Sequence, residues 1–133
     1  ARTKTGRTPL HYAAVSNTTA SVQILLTAGA DAMARGGNGW TPLHWASSGG
    51  SYLNIETLLA AGANVMARGG DDWTPLHWAA SSGTSDNIEV LLAAGADAKA
   101  KSKDGKTPWD LAQENEEAEG TKGYWALNDA QYN

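Results

Sequence analysis

Hydrophobic and polar positions follow one pattern that recurs along the chain, and a clear copy of it begins at Thr41. Thr41 and Pro42 open a first stretch, which a pair of glycines ends. A second stretch carries apolar residues at Ile55, Leu58 and Leu59. Apolar residues three and four positions apart share one face of an α-helix. A Thr-Pro pair favours a helix start, because the hydroxyl caps the helix and proline needs no N–H at its first position. The pattern therefore predicts two short helices in succession.

The same pattern returns at a constant interval, without a single insertion or deletion between copies. The Thr-Pro pair begins at Thr8, Thr41, Thr74 and Thr107. A fixed period of about 20 to 50 residues is typical of stacked repeat proteins. Dividing the chain at this period gives repeats 1 to 4, at residues 1–33, 34–66, 67–99 and 100–133. A glycine follows the second predicted helix in the first three repeats, where a left-handed residue ends a helix favourably. These glycines are Gly29, Gly62 and Gly95.

The letters at these positions resemble the ankyrin repeat. The segments TPLHYAA, TPLHWAS and TPLHWAA are similar to that family's TPLHxAA, and ILLTAGADA, TLLAAGANV and VLLAAGADA are similar to its LLxxGAD. The final TPWDLA is similar to a closing ankyrin repeat. The resemblance covers the chain and implies one all-α domain, residues 1–133, built as a solenoid of stacked helix–turn–helix units with projecting β-hairpin-like turns. It also implies a protein that binds a protein or peptide partner in its concave groove.

Composition excludes several other classes of protein. The chain has no cysteine, which removes thiol chemistry and cysteine-bound zinc. Its net charge is −4, which argues against nucleic acid as a partner. No apolar run approaches the roughly 20 residues that span a bilayer, so we expect no membrane association. The compartment stays open, with the cytoplasm as the simplest assignment.

The three histidines, His11, His44 and His77, recur with the same period as the Thr-Pro pairs. Metal ligands must converge on one point, whereas one histidine per repeat forms a ladder. The family resemblance implies instead that each imidazole bonds turn atoms and ties one hairpin to the next. No phosphate-binding loop or nucleophile triad accompanies them. We therefore expect no enzyme activity, no cofactor and no metal.

Two of the six tryptophans, Trp40 and Trp73, precede the Thr-Pro pair of repeats 2 and 3. Arg7 and Lys106 hold the same position in the other repeats, and no packed interior accepts all four side chains. Two exposed tryptophans in adjacent repeats would form an apolar patch, which usually marks an interaction site. We expect them to anchor a partner, and simple packing within the hairpins is the alternative.

A second equivalent position holds Trp45 and Trp78, with Tyr12 and Leu111 in the outer repeats. Packing between the first helices of adjacent repeats is the structural explanation, and contact with the partner is the functional one. The predicted partner-binding residues on hairpins and first helices are Arg7, Asn38, Trp40, Trp45, Ser48, Asp71, Asp72, Trp73, Trp78, Ser81, Ser82 and Lys106. The formal charge falls from +2 in repeat 1 to −3 in each of repeats 3 and 4. This difference favours a partner whose basic residues lie over repeats 3 and 4.

Two further expectations concern departures from the family pattern. The family usually has Asp at the start of the hairpin, where this chain has glycine at Gly36 and Gly69. We expect these tips to be looser, or to let another backbone approach closely. In repeat 4, Tyr124 and Trp125 replace the Leu pair of the second helix. We expect Trp109 and Trp125 to fill the core of a C-terminal cap, whose outer face is polar.

Other functions stay open at this point. Aromatic rings beside Asp71 and Asp72 would form a cage for an alkylated ammonium. The four repeats would also serve as a spacer in a longer ankyrin array, since no dedicated N-terminal cap is visible. Exposed tryptophans would further allow two copies of the chain to pair.

Overall fold

The structure is a computed structural model, and it describes residues 7–16, 19–36, 39–116 and 119–130. Over these ranges it contains eight α-helices and no β-strand. In chain order they are α1 (Pro9–Ala13), α2 (Ala20–Thr27), α3 (Pro42–Gly49), α4 (Tyr52–Ala60), α5 (Pro75–Ser82), α6 (Ser85–Ala93), α7 (Pro108–Gln113) and α8 (Lys122–Ala130). None of these helices is long and apolar enough to cross a membrane. The predicted all-α class is confirmed.

The first helix of each repeat begins where the Thr-Pro pair predicts. Thr74 is the N-cap of α5, with extended backbone and Pro75 at the first helical position. Its hydroxyl accepts the N–H of His77 at 3.4 Å, and the His77 imidazole accepts the Thr74 N–H at 3.1 Å. Two N–H groups that the helix itself leaves unpaired are thereby satisfied. In repeat 4 a carboxylate replaces the imidazole, and Asp110 accepts the N–H of Thr107 at 2.9 Å.

The second helices end as predicted, at a glycine with left-handed backbone. The φ angle is +95° at Gly29, +96° at Gly62 and +94° at Gly95. At the end of α4, the N–H of Ala63 reaches back to the carbonyl of Leu58 at 3.0 Å. This wrapped end needs a residue with positive φ, which glycine adopts without steric cost.

The helices stack in two rows. α3 packs on α5 and α5 on α7 in the inner row, while α4 packs on α6 and α6 on α8 in the outer row. Both rows contribute to one core, whose largest fully buried apolar side chains are Leu10, Val22, Leu43, Ile55, Leu58, Leu76, Ile88, Leu91 and Leu127. Burial of these side chains is the main favourable contribution to folding. The arrangement is the predicted helical solenoid.

Hairpin-like turns connect successive repeats, as predicted. Each is closed by a backbone bond, from Gly36 N–H to Trp40 carbonyl (3.0 Å), from Gly69 N–H to Trp73 carbonyl (3.0 Å) and from Ser102 N–H to Lys106 carbonyl (2.8 Å). Arginines join neighbouring turns. The Arg35 guanidinium donates to the carbonyl of Gly39 in its own turn (2.8 Å) and to that of Arg68 in the next (2.7 Å).

The C-terminal repeat corrects one prediction. Trp109 packs against the core as expected, but Trp125 is 53% exposed. α6 buries Asn87, Ile88 and Leu91, whereas α8 buries Gly123, Tyr124 and Leu127. The two buried sets are separated by three residues more than one repeat, because three extra residues lie between α7 and α8. Tyr124 therefore takes the place of Ile88, and Trp125 turns towards solvent.

Candidate functional site: an aromatic cleft on the inner helices

The histidines form the predicted ladder along the inner helices. The Nδ1 atom of His44 accepts the N–H of Thr41 at 3.0 Å, and its Nε2–H donates to the carbonyl of Trp73 at 3.0 Å. His11 bonds the Trp40 carbonyl at 2.8 Å, and His77 bonds the Lys106 carbonyl at 3.0 Å. Each imidazole thus connects the start of one helix to the next hairpin.

Burial keeps His44 and His77 uncharged at neutral pH. Desolvation lowers the pKa of His44 to about 4, against the smaller opposing effect of its hydrogen bonds to backbone. Burial also lowers the pKa of His77. A neutral ring with its proton on Nε2 accepts at Nδ1 and donates at Nε2, which is the pattern that the Thr41 N–H and the Trp73 carbonyl require of His44.

Three tryptophans form one cluster across repeats 2 and 3. The Trp78 ring lies 5.1 Å from that of Trp40 at an angle of 79°, and 4.7 Å from that of Trp73 at 65°. All three are partly buried. The expectation that Trp40 and Trp73 are exposed is therefore wrong. The reason is that both pack on the inner-helix ring of Trp78, a member of the second tryptophan pair.

Repeat 1 supplies an equivalent contact with a different side chain. The Arg7 guanidinium lies 4.7 Å from the centroid of the Trp45 ring, a cation–π arrangement. Trp45 also meets the rings of His11 at 5.9 Å and Tyr12 at 5.7 Å, both edge to face. Arg7 therefore covers Trp45 in the way that Trp40, its equivalent in repeat 2, covers Trp78.

A cleft of about 240 Å³ opens between these rings. Its walls are the indoles of Trp40, Trp45 and Trp78. The full lining is Val15, Trp40, His44, Trp45, Ser48, Gly49 and Trp78. The surface is mainly apolar, and none of these lining residues is a carboxylate or a charged amine. We call this surface the aromatic cleft.

One polar group beside the aromatic cleft lacks an ordinary partner. The indole N–H of Trp78 is buried and has no oxygen or nitrogen acceptor in the part of the chain that the structure describes. The rings of Trp40 and Trp73 meet Trp78 at steep angles.

Five other predicted site residues are serines of the inner helices or aspartates of a hairpin tip. Ser48 lines the cleft, and its hydroxyl lies 2.8 Å from that of the exposed Ser82, while Ser81 is partly buried. Asp71 and Asp72 are exposed at the hairpin tip, both with φ of 59°.

Two predicted positions remain, Lys106 and Asn38. Lys106 is exposed and forms an ion pair with Glu114 at 3.3 Å. Asn38 lies outside the described residues. The structure therefore brings together Trp40, Trp45, Trp78 and Ser48, and it places Asp71, Asp72 and Lys106 outside the cleft lining.

Sequence reasoning misses three lining residues, Val15, His44 and Gly49. Val15 carries a usable signal, because it is the repeat 1 equivalent of Ser48, a predicted partner-binding residue. The position equivalent to Ser48 in repeat 1 is thus occupied by an apolar residue that extends the cleft. The sequence assigns His44 to the ladder alone, although its ring also borders the cleft.

The glycine at the start of the hairpin in repeat 3 has an unexpected neighbour. A Cβ atom built on Gly69 would lie 2.2 Å from Cε3 and 2.5 Å from Cζ3 of Trp40. Real Cβ atoms do not approach other atoms so closely. The close approach that we expected from backbone is therefore made by an indole ring.

Comparison with known families agrees with the fold. A family model described as ankyrin repeats (3 copies) matches residues 1–69, and another described as ankyrin repeats (many copies) matches residues 58–112. The chain belongs to the ankyrin repeat family. No curated protein matches it significantly. Ankyrin repeats are generally non-enzymatic modules of protein–protein interaction. Within the described ranges of this ankyrin chain, no group of three or more His, Asp or Glu residues is placed to hold a metal ion.

Proposed function

We propose that this chain is a single non-enzymatic ankyrin domain, residues 1–133, that binds a protein or peptide partner on its inner helices. The partner inserts one large apolar side chain into the aromatic cleft. The observation that carries this proposal is the convergence of Trp40, Trp45 and Trp78 on one cleft. Tryptophan is the residue type most enriched at interaction hot spots, where its truncation often costs about 2 kcal/mol or more.

The size and lining of the cleft favour a side chain over a small free ligand. Pockets for small molecules usually measure roughly 300–1,000 Å³, and this cleft measures about 240 Å³. A cage for an alkylated ammonium gains no support, because the lining contains no carboxylate. The Arg7 guanidinium, which already lies 4.7 Å from the Trp45 ring, would also repel a second cation.

The charged residues on either side of the cleft favour one orientation of the partner along the array of repeats. Asp71 and Asp72 are exposed on the hairpin of repeat 3, and Arg7 lies on the repeat 1 side of the cleft. A partner with basic residues towards repeats 3 and 4 would meet these carboxylates. Such complementary charges increase the association rate and set orientation more than they increase affinity.

Selection from a library of random linear peptides displayed on phage tests this function. Peptides that bind the immobilised wild-type chain should share a large apolar residue with Lys or Arg on one side of it. Their affinity, measured by isothermal titration calorimetry, should fall at least about 10-fold in Trp45→Ala and in Val15→Glu. Val15 is 37% exposed, so its substitution changes the cleft with little effect on the core.

Matched controls carry the same changes on exposed residues outside the cleft. Trp125→Ala and Ile24→Glu alter residues that are 53% and 68% exposed. Both should bind the selected peptides as the wild type does. Equal affinity for wild type, Trp45→Ala and Val15→Glu, with circular dichroism unchanged in all three, would exclude the aromatic cleft as the binding site.

A further inference from the structure

Gly69 is glycine because of its neighbour and not because of its own backbone. Its φ of −112° and ψ of −152° lie in the extended region, which any residue adopts. The three atoms nearest to a Cβ built at this position all belong to the indole of Trp40, at 2.2, 2.5 and 3.0 Å. A side chain at position 69 and the present position of the Trp40 ring are therefore mutually exclusive.

The same indole is held from its other sides. The Trp78 ring lies 5.1 Å away at 79°, and the His44 ring lies 5.1 Å away at 63°. Trp40 thus fits between the hairpin backbone of repeat 3 and two inner-helix rings. In this position it forms one wall of the aromatic cleft, whereas Gly69 does not line the cleft.

Equivalent positions in the neighbouring repeats behave differently. A Cβ at Gly36 would lie 3.2 Å from Cγ of Arg7, a tight contact but not the overlap found at Gly69. In repeat 4 the equivalent residue is Ser102, which is buried. The tryptophan of the repeat before it, Trp73, is stacked on its histidine at 26°, whereas Trp40 meets its histidine at 63°. The presence or absence of a side chain at this position therefore coincides with two different ring orientations.

We propose that Gly69 is a positioning residue that fixes the Trp40 indole as a wall of the aromatic cleft. The absent side chain, at a place where the family usually has Asp, leaves the room that the ring fills. Restoring a side chain would turn the ring towards the orientation of Trp73 and change the shape of the cleft. A wall fixed before binding reduces the side-chain entropy lost when a partner binds. The effect on partner binding rests on the proposed function, while the effect on packing does not.

A double-mutant cycle of thermal stability tests the packing step, with Gly69→Ala made in the wild type and in Trp40→Ala. In the wild type, the added methyl group displaces the ring, and Tm should fall by about 5 °C. In Trp40→Ala the clash is absent, and alanine restricts the unfolded chain, so Tm should stay the same or rise by about 2 °C. Gly36→Ala is the matched control and should change Tm by less than about 2 °C. Equal changes in both backgrounds would overturn the proposal.

Peptide binding separates this proposal from the proposed function. At a temperature where every variant is folded, Gly69→Ala should weaken a peptide selected on the wild type about 10-fold, and Gly36→Ala should leave it unchanged. If Gly69→Ala binds that peptide normally while Trp45→Ala does not, the positioning role is wrong and the proposed function stands. If Trp45→Ala also binds normally, the proposed function is wrong, and the stability cycle still decides whether Gly69 positions Trp40.

Discussion

The letters WTPLHW occur at residues 40–45 and again at 73–78, and the two copies share a backbone but differ in the surroundings of their tryptophans. In both copies the threonine N–H bonds the histidine, at 3.0 and 3.1 Å. In both, the histidine then bonds a carbonyl 29 residues further on, at 3.0 Å. The first tryptophan nevertheless meets its histidine at 63° in the first copy and at 26° in the second.

The difference comes from the repeats on either side. Trp40 faces Gly69 in the next hairpin, whereas the position equivalent to Gly69 after Trp73 holds Ser102. At the other end of the hexapeptide, Arg7 covers Trp45 and Trp40 covers Trp78. Bonds made within the hexapeptide are thus fixed by its own letters. The role of each tryptophan is fixed by residues in the repeat before it or the repeat after it.

Removing the histidine should have the largest effect, and it should be equal in the two copies. His44→Ala leaves the buried N–H of Thr41 without its imidazole acceptor, removes one of the two donors to the Trp73 carbonyl and opens a cavity. We expect a loss of about 3 kcal/mol in the free energy of unfolding. His77→Ala should lose a similar amount, since its bonds are the same. Urea unfolding followed by circular dichroism measures both, and a clearly smaller loss in one copy would contradict the shared backbone role.

Lowering the pH should reduce the free energy of unfolding through His44, because its pKa is lower in the folded chain than in the unfolded chain. The pKa of His44 is about 4 in the folded chain, against 6.5 for a free histidine. The unfolded chain therefore binds a proton more readily between these values. The contribution of His44 to stability is complete above pH 6.5 and falls as the pH drops towards 4. At pH 5 the loss from His44 should be about 2 kcal/mol.

A variant without the titrating group isolates that contribution. His44→Gln should lose about 2 kcal/mol less than the wild type between pH 7 and pH 5, in parallel urea titrations at the two pH values. His77, whose pKa is also lowered, is still present in this variant and contributes to the remaining slope. Identical slopes in wild type and His44→Gln would mean that His44 is not held neutral by burial.

Replacing the first tryptophan of each copy, Trp40 or Trp73, should cost less stability, and the two losses should differ. Trp73 packs against the hydrophobic core, so Trp73→Ala should cost about 2 kcal/mol of stability. Trp40 lies between Gly69 and the rings of Trp78 and His44, and Trp40→Ala should cost about 1 kcal/mol. Thermal or urea unfolding of the two variants side by side gives the ranking. A larger loss for Trp40→Ala would mean that its ring, and not that of Trp73, is the core contact.

Features that depend on a few neighbouring residues could be predicted from the sequence. The cap at Thr74 and the left-handed end at Gly62 both follow from letters within one repeat and its copy. Helix starts at Pro42 and Pro75 follow for the same reason. Local hydrogen bonding and backbone preference decide these features, and both are visible in short segments.

Features that depend on contacts between repeats could not be predicted from the sequence. The sequence predicts an exposed Trp40 because Arg7 and Lys106 hold the equivalent position in other repeats, but the ring packs on Trp78 from the next repeat. It predicts a buried Trp125 because the Thr-Pro spacing is regular, but the three extra residues follow the last Thr-Pro pair, where that spacing no longer reports register. The cleft itself combines side chains from three repeats, from Val15 to Trp78, so no single repeat predicts it.

The ties between neighbouring repeats recur once in every repeat, and this regularity bears on how such a chain changes length over evolution. Loss of residues 41–73 would join Trp40 to Thr74 and recreate WTPLHW at the junction. Arg35 would then meet the Lys101 carbonyl that Arg68 now meets, and His11 would keep its bond to Trp40. The shortened chain would, however, place Trp40 opposite Ser102 instead of Gly69. Loss of a whole repeat by recombination would thus preserve the architecture while erasing the cleft, so that shape and recognition are inherited separately.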